Sequence, residues 1–100
     1  MAERCSIHLV MSAAAAARAA AFGASGDVVV WMHDAVALAL ADARAPTLAE
    51  GVREHVLREE LQARGLADLP LRPDVVVIGY AELVALCAAD CAVPVSWGGG

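Results

Sequence analysis

The sequence has few basic residues, and this excludes several kinds of function. Seven Lys and Arg residues stand against twelve Asp and Glu residues, which gives a formal net charge of −5. Proteins that hold nucleic acid need clustered Lys and Arg to displace the counterions of the phosphates, and membrane-surface helices need a basic face. No such cluster occurs along this chain. The composition therefore argues against direct binding of nucleic acid and against a membrane-surface role.

Long apolar runs and paired cysteines are also missing. Arg18 and the pair His33–Asp34 interrupt the apolar stretches, which stay short of the ~20 residues that span a bilayer. Three cysteines are an odd number, without the spacing of a disulfide scaffold. Free thiols are typical of a reducing compartment, so we expect a cytoplasmic protein. The segment GASGD at 23–27 precedes a strand instead of following one, so it does not qualify as a phosphate loop.

Apolar residues, in contrast, are abundant. The set AVILMFWYC makes up 60% of the 100 residues, whereas about 45–50% is usual even when Gly is counted. The length predicts a single domain, which we assign to residues 1–97, followed by a flexible tail at 98–100. A core this small cannot enclose so much apolar surface, and the excess favours burial against other subunits.

Strand-like and helix-like segments alternate along the chain. The β-type runs are at 5–10, 28–32 and 74–80, with VPVSW as a closing strand, and helices are predicted at 13–22 (with Ser12 as N-cap), 33–44 and 81–90. The continuous β-branched run VVVWM is typical of a strand that is buried on both faces. Such alternation predicts an α/β fold, a three-layer sandwich with a small, mostly parallel central sheet.

The segment HVLREELQARGL at 55–66 fits two structures. Its apolar spacing continues a helical period from Leu48, yet a strand at 52–57 followed by a short helix at 58–65 would complete the alternation. A continuous helix would also hold Gly51 in its interior, at a cost of about 1 kcal/mol relative to Ala. We therefore predict the strand and the short helix, with Gly65 ending that helix in a left-handed turn.

Several segments, in this order and spacing, resemble the DsrH/TusB family of sulfur-relay subunits. They are IHLV, VVVWMHDAVALAL, HVLREELQARGL, DVVVIGYAELVAL and Trp97. The resemblance implies an open α/β sandwich of the DsrE/DsrF/DsrH type. It also implies a heterohexamer with TusC/TusD-like or DsrE/DsrF-like subunits, which receives persulfide sulfur from small carrier proteins. Some DsrH-type members have a sulfur-accepting cysteine in the first helix, where this chain has Ala19 or a neighbour, so it is similar to the TusB kind that lacks this thiol.

The resemblance and the residues together predict a non-catalytic subunit of a relay that supports 2-thiouridine formation at the tRNA wobble position. Two alternatives remain open. One is a DsrH-type subunit of a dissimilatory sulfur-oxidation complex, and the other is a stand-alone thiol sulfurtransferase that uses Cys87 or Cys91. We expect no cofactor and no metal site, because two thiols four residues apart without a nearby His do not make a zinc site.

Individual candidate residues have competing interpretations. Cys87 and Cys91 would share one face of the last helix, and both fit core packing better than catalysis. Asp34 either shapes an interface at the end of a strand or caps the following helix; we favour the cap. Trp97 is predicted to anchor the segment in the core or across an interface. His8 is expected to be a hydrogen-bonded histidine inside the core or an interface.

Overall fold

The computed structural model describes residues 4–98 and consists of a parallel sheet with helices on both faces. The elements in chain order are β1 (Cys5–Val10), α1 (Ala13–Phe22), β2 (Val28–Trp31), the 3₁₀ segment η1 (His33–Ala39), β3 (Arg53–Leu57), α2 (Arg58–Ala63), β4 (Val75–Ile78), α3 (Tyr80–Ala88) and β5 (Ala92–Trp97). The α/β sandwich predicted from the sequence is confirmed, and all five strands are parallel.

The strand order β4-β3-β2-β1-β5 decides which face each helix covers. From β1 to β4 the chain steps in one direction across the sheet, and it then returns past β1 to add β5 on the other side. Because parallel crossovers are right-handed, the reversal moves the last connection to the opposite face. Consequently α1, η1 and α2 cover one face, whereas α3 lies on the other.

Two apolar clusters, one on each face, form the core. Alternate residues of the strands point to opposite faces, so Val29 and Trp31 belong to the first cluster while Val28 and Val30 belong to the second. The first cluster takes in buried alanines of α1 and η1, whose small side chains let these elements approach the sheet closely. In the second cluster, Leu83 is the one residue of α3 that is buried.

The segment HVLREELQARGL is a strand that runs directly into a helix, as predicted. Val56 and Leu57 are fully buried at the end of β3, and α2 begins at Arg58. Gly65 has φ +70°, the left-handed conformation expected for a residue that ends a helix. Gly51 has φ +86° and precedes β3 in a turn, so a helix across it is ruled out.

The prediction of a helix at 33–44 is wrong. Only a 3₁₀ segment forms, and it ends at Ala39, after which Leu40 pairs antiparallel with Leu71. Backbone groups that a longer helix would use within itself instead form hydrogen bonds with the loop that precedes β4. The carbonyl of Ala39 accepts from the Arg72 N–H, and the Ala41 N–H donates to the carbonyl of Pro70. Tertiary hydrogen bonds thus override the helix propensity of this Ala- and Leu-rich stretch.

The predicted N-cap of α1 is confirmed, since the Ser12 hydroxyl accepts a hydrogen bond from the Ala15 N–H at 3.2 Å. The tail predicted at 98–100 lies, apart from Gly98, outside the described residues. None of the helices within residues 4–98 has the length and apolarity to cross a membrane.

Candidate functional site at the carboxyl edge of the sheet

Ligand sites in parallel sheets gather where the strands end, and here that edge carries His33. His33 comes after β2 and has φ 49°, a left-handed conformation that non-glycine residues rarely adopt. Packing of η1 stabilises this strained backbone conformation of His33, because Ala35 and Val36 of the same segment are fully buried. As a result the imidazole stands at the surface, with its side chain 50% exposed.

Glu60 connects the ends of three strands. It lies in the first turn of α2, just beyond β3, and its side chain is only 11% exposed. Its Oε1 lies 2.9 Å from Nδ1 of His33, beyond β2, and accepts a hydrogen bond of 3.0 Å from the hydroxyl of Tyr80, beyond β4. The hydrogen bond to Glu60 is the main cause of a raised Tyr80 pKa, so the phenol keeps its proton at neutral pH.

This arrangement orients the His33 ring. A carboxylate only accepts hydrogen bonds, so with an ionised Glu60 the Nδ1 of His33 is the donor, and Nε2 remains as the second ring nitrogen. The half-exposed imidazole, held by a buried carboxylate, therefore presents its second ring nitrogen towards the surface. We name His33, Glu60 and Tyr80 the carboxyl-edge triad.

Charged residues surround the carboxyl-edge triad. Asp34 pairs with Arg64 of the α2 C-cap, with Oδ1 and Nη1 2.8 Å apart. The predicted role of Asp34 as a helix cap is wrong, since Met32 occupies the N-cap position of η1 and no side chain caps it. The alternative, that Asp34 belongs to an interface, stays a prediction. On the other side Glu82 accepts from the N–H of Gly79 at 3.1 Å, which caps α3.

The thiols lie at the opposite, amino edge. Cys5 opens β1, Cys91 precedes β5, and their Sγ atoms are 3.8 Å apart. Cys91 is beyond the end of α3 at Ala88, so the prediction that it shares a helix face with Cys87 is wrong. Cys87 packs against the second core cluster, where burial raises the pKa of its thiol. No pattern along the chain signals the contact between Cys5 and Cys91, which depends on β5 pairing with β1.

Trp97 ends a chain of hydrogen bonds that leads to the buried His8. Its indole N–H donates to Nδ1 of His8 at 3.0 Å, and Nε2 of His8 donates to Asp27, 3.0 Å away. His8 is 3% exposed, so the prediction of a hydrogen-bonded core histidine is confirmed. Trp97 itself is partly exposed and contacts Phe22, which is 69% exposed; the two ring centroids are 5.3 Å apart and the rings are tilted by 34°. Whether Trp97 meets another subunit stays a prediction.

A second polar network lies near the amino ends of β3 and β4. Glu54 receives two hydrogen bonds from Arg72, of 2.7 and 3.2 Å, and a third of 3.0 Å from the indole of the fully buried Trp31. Arg72 also donates from Nε to the carbonyl of Leu38. Glu54 and Arg72 help to line a cleft of about 460 Å³, together with the loop 43–52. Because the Arg72 guanidinium and the Glu54 carboxylate are hydrogen-bonded to each other, we assign a structural role to this network.

No metal site is evident between residues 4 and 98, where no three His, Cys, Asp or Glu side chains converge. Sequence reasoning missed Glu60 and Tyr80 as site residues. Their positions in the sequence could have indicated them, because each residue lies at the end of a predicted strand or a few positions after it. Such residues lie at the edge where parallel strands end.

The architecture defines a small α/β sandwich whose parallel sheet carries its polar cluster at the carboxyl edge and its thiols at the amino edge. A protein-family comparison agrees with the resemblance seen in the sequence: residues 11–92 match the family described as DsrH like protein. The chain therefore belongs to the DsrH-like family, whose members are parts of multi-subunit sulfur-relay complexes. Comparison with curated proteins gives no match.

Proposed function

We propose that this chain is a non-catalytic subunit of a heteromeric sulfur-relay complex that supports 2-thiouridine formation at the tRNA wobble position. The observation that carries the proposal is the separation between the polar site and the thiols. The carboxyl edge, where ligands gather in parallel sheets, offers the carboxyl-edge triad and no cysteine. A sister subunit would then supply the sulfur-carrying thiol, and the complex would work in the cytoplasm.

The environments of Cys5 and Cys87 support a non-catalytic role. A reactive thiol needs a lowered pKa, from a helix N-terminus or a nearby cation. Cys87 is in the last turn of α3, and burial raises its pKa. The pKa of Cys5 is also raised, chiefly by the hydrogen-bond contact with Cys91 and then by burial. Neither environment favours the thiolate that would accept sulfur.

Exposed apolar side chains support association with homologous subunits. Within residues 4–98, six large apolar side chains are at least 37% exposed: Phe22, Leu69, Val76, Tyr80, Val84 and Val93. Tyr80 and Val84 are four residues apart on α3, which places them on one side of this helix. Most of α3 is exposed although its sequence YAELVALCA is apolar. A surface of this kind is typical of burial between subunits.

A stand-alone sulfurtransferase is the second candidate, and the contact between Cys5 and Cys91 is what favours it. The third candidate is a DsrH-type subunit of a dissimilatory sulfur-oxidation complex. Chromosomal neighbours that encode sulfite reductase would favour the third, whereas tRNA-thiolation partners would favour our proposal.

Co-purification tests the assembly directly. The chain, expressed with its chromosomal neighbours and tagged on one of them, should elute as a heteromeric complex. Expressed by itself, it should self-associate or aggregate, because the exposed apolar side chains then have no partner. A clean, stable monomer by light scattering at micromolar concentration would contradict the proposal.

Replacement of all three cysteines tests the chemistry. The variant Cys5→Ala/Cys87→Ala/Cys91→Ala should retain near-normal sulfur transfer in the assembled complex. Alanine is preferred to serine because an unpaired buried hydroxyl costs roughly 1–3 kcal/mol. A hundredfold loss of transfer, with the complex intact by gel filtration, would favour the sulfurtransferase instead.

A further inference from the structure

Cys5 and Cys91 are held face to face by the pairing of β1 with β5. Their Sγ atoms are 3.8 Å apart, and the Cys5 N–H donates to the carbonyl of Cys91 at 3.0 Å, so the two backbones are also fixed against each other. Parallel pairing continues from Cys5↔Ala92 to Val10↔Trp97. Both cysteines are partly exposed, which leaves them open to small reagents.

We propose that Cys5 and Cys91 form a dithiol–disulfide site that is oxidised by small-molecule disulfides of the glutathione type. The thiolate of one cysteine attacks the reagent, forms a mixed disulfide and releases the first thiolate of the reagent. The second cysteine, after losing its proton, then attacks the protein sulfur and expels the other half of the reagent. Two protons and two electrons leave the protein, and the reagent becomes two thiols.

The geometry favours the intramolecular product. A disulfide needs its sulfurs about 2.0 Å apart, so the two Sγ atoms must approach by less than 2 Å from their present separation of 3.8 Å. Cys87 is placed differently: it lies within α3, whereas the pairing of β1 with β5 holds Cys5 next to Cys91. The raised pKa of Cys5, caused mainly by the contact with Cys91, predicts a slow first step at neutral pH that accelerates as the pH rises.

A disulfide between Cys5 and Cys91 would link the edge strand β5 covalently to its neighbour β1. Within residues 4–98, β5 pairs only with β1, and it carries Trp97. The bond would join the first residue of β1 to the residue before β5, closing a loop that contains most of the chain. The oxidised protein should therefore open β5 less readily, and this inference does not depend on which partners or substrate the relay has.

The test uses the reduced, full-length chain at low protein concentration, which limits self-association. The chain is incubated with an excess of oxidised glutathione at pH 8 and then alkylated with iodoacetamide. Intact mass should show one alkylated cysteine of the three, and peptide mapping should identify a bond between Cys5 and Cys91. Dithiothreitol should restore all three thiols. Hydrogen exchange in β5 should be slower in the oxidised form than in the reduced form.

Matched variants distinguish this site from general thiol oxidation. Cys87→Ala should still form the bond, whereas Cys91→Ala should stop at a mixed disulfide with glutathione. If Cys91→Ala does not fold, Cys5→Ala provides the same comparison. The proposal is overturned if the wild type accumulates a stable mixed disulfide, if Cys87 is a partner in the main product, or if the main product is a disulfide-linked dimer on a non-reducing gel.

Discussion

Replacing Glu54 by alanine should destabilise the protein strongly, because two neighbouring groups depend on this carboxylate. Trp31 is 0% exposed, and its indole N–H donates to Glu54. A buried donor left without a partner costs about 1–3 kcal/mol. Arg72 would also lose its carboxylate, and breaking a fully buried pair costs about 3–5 kcal/mol.

Loss of the Arg72–Glu54 ion pair should cost less than this, because the side chains of Arg72 and Glu54 are 21% and 15% exposed. Water can reach the guanidinium once the carboxylate is gone, so about 1–2 kcal/mol is a reasonable share. With about 1–2 kcal/mol for the indole, Glu54→Ala should lose roughly 3 kcal/mol of unfolding free energy. Glu54→Gln keeps an acceptor for Trp31 and a similar shape, so it should lose only about 1–2 kcal/mol.

Urea unfolding at low protein concentration, followed by circular dichroism, measures both variants. A double-mutant cycle with Arg72→Met supplies the control, since removing both charges should cost less than the sum of the two single changes. The reasoning is refuted if Glu54→Ala unfolds within about 0.5 kcal/mol of wild type, a size typical of exposed pairs. It is also refuted if the Gln variant loses as much as the Ala variant.

Three further outcomes are expected. Burial alone would raise the pKa of Asp27, but hydrogen bonds from His8 and from the Ala24 and Ser6 N–H groups lower it below 3.8. Its stabilisation is therefore complete above that value and is lost as the pH falls through the lower folded pKa; acid unfolding of Asp27→Asn should show a flatter dependence there. Burial lowers the pKa of His55 from 6.5, so folding is favoured above pH 6.5 and weakens as the pH falls below it. Thermal unfolding of His55→Leu should lack this dependence, and an unchanged slope would contradict the assignment. Val56→Ala removes a fully buried strand side chain and should lose about 1–3 kcal/mol in urea unfolding; an Ala variant more stable than wild type would be incompatible with a buried strand.

The sheet could be predicted from sequence because its signals are strong and local. The run Val28–Trp31 is apolar on both faces and fully buried, as a central parallel strand requires. The run Val75–Ile78 is equally apolar, although Val76 on this edge strand is 51% exposed. The alternation of elements predicts the strand in HVLREELQARGL. Gly65 adopts the positive φ that this prediction requires, and the positive φ of Gly51 excludes the alternative of a continuous helix.

The missed features depend on distant parts of the chain. The helix predicted at 33–44 ends early because residues 70–72 take its backbone hydrogen bonds. Glu60 joins His33 and Tyr80 only because the three strands before them are neighbours in the sheet. Cys5 meets Cys91 only because the last strand returns to β1. Spacing along the chain contains none of this information.

The return of β5 to β1 has a consequence for synthesis. β1 is made first, yet its outer neighbour is the last of the five strands, more than eighty positions later. Until β5 is complete, the emerging chain presents one side of β1 as an unpaired ladder of N–H and C=O groups, the kind of edge that recruits foreign strands. Such distant pairing also slows folding. The nascent protein is therefore most vulnerable to mispairing while it is still on the ribosome, and shielding of the β1 edge by a chaperone at that stage should raise its yield.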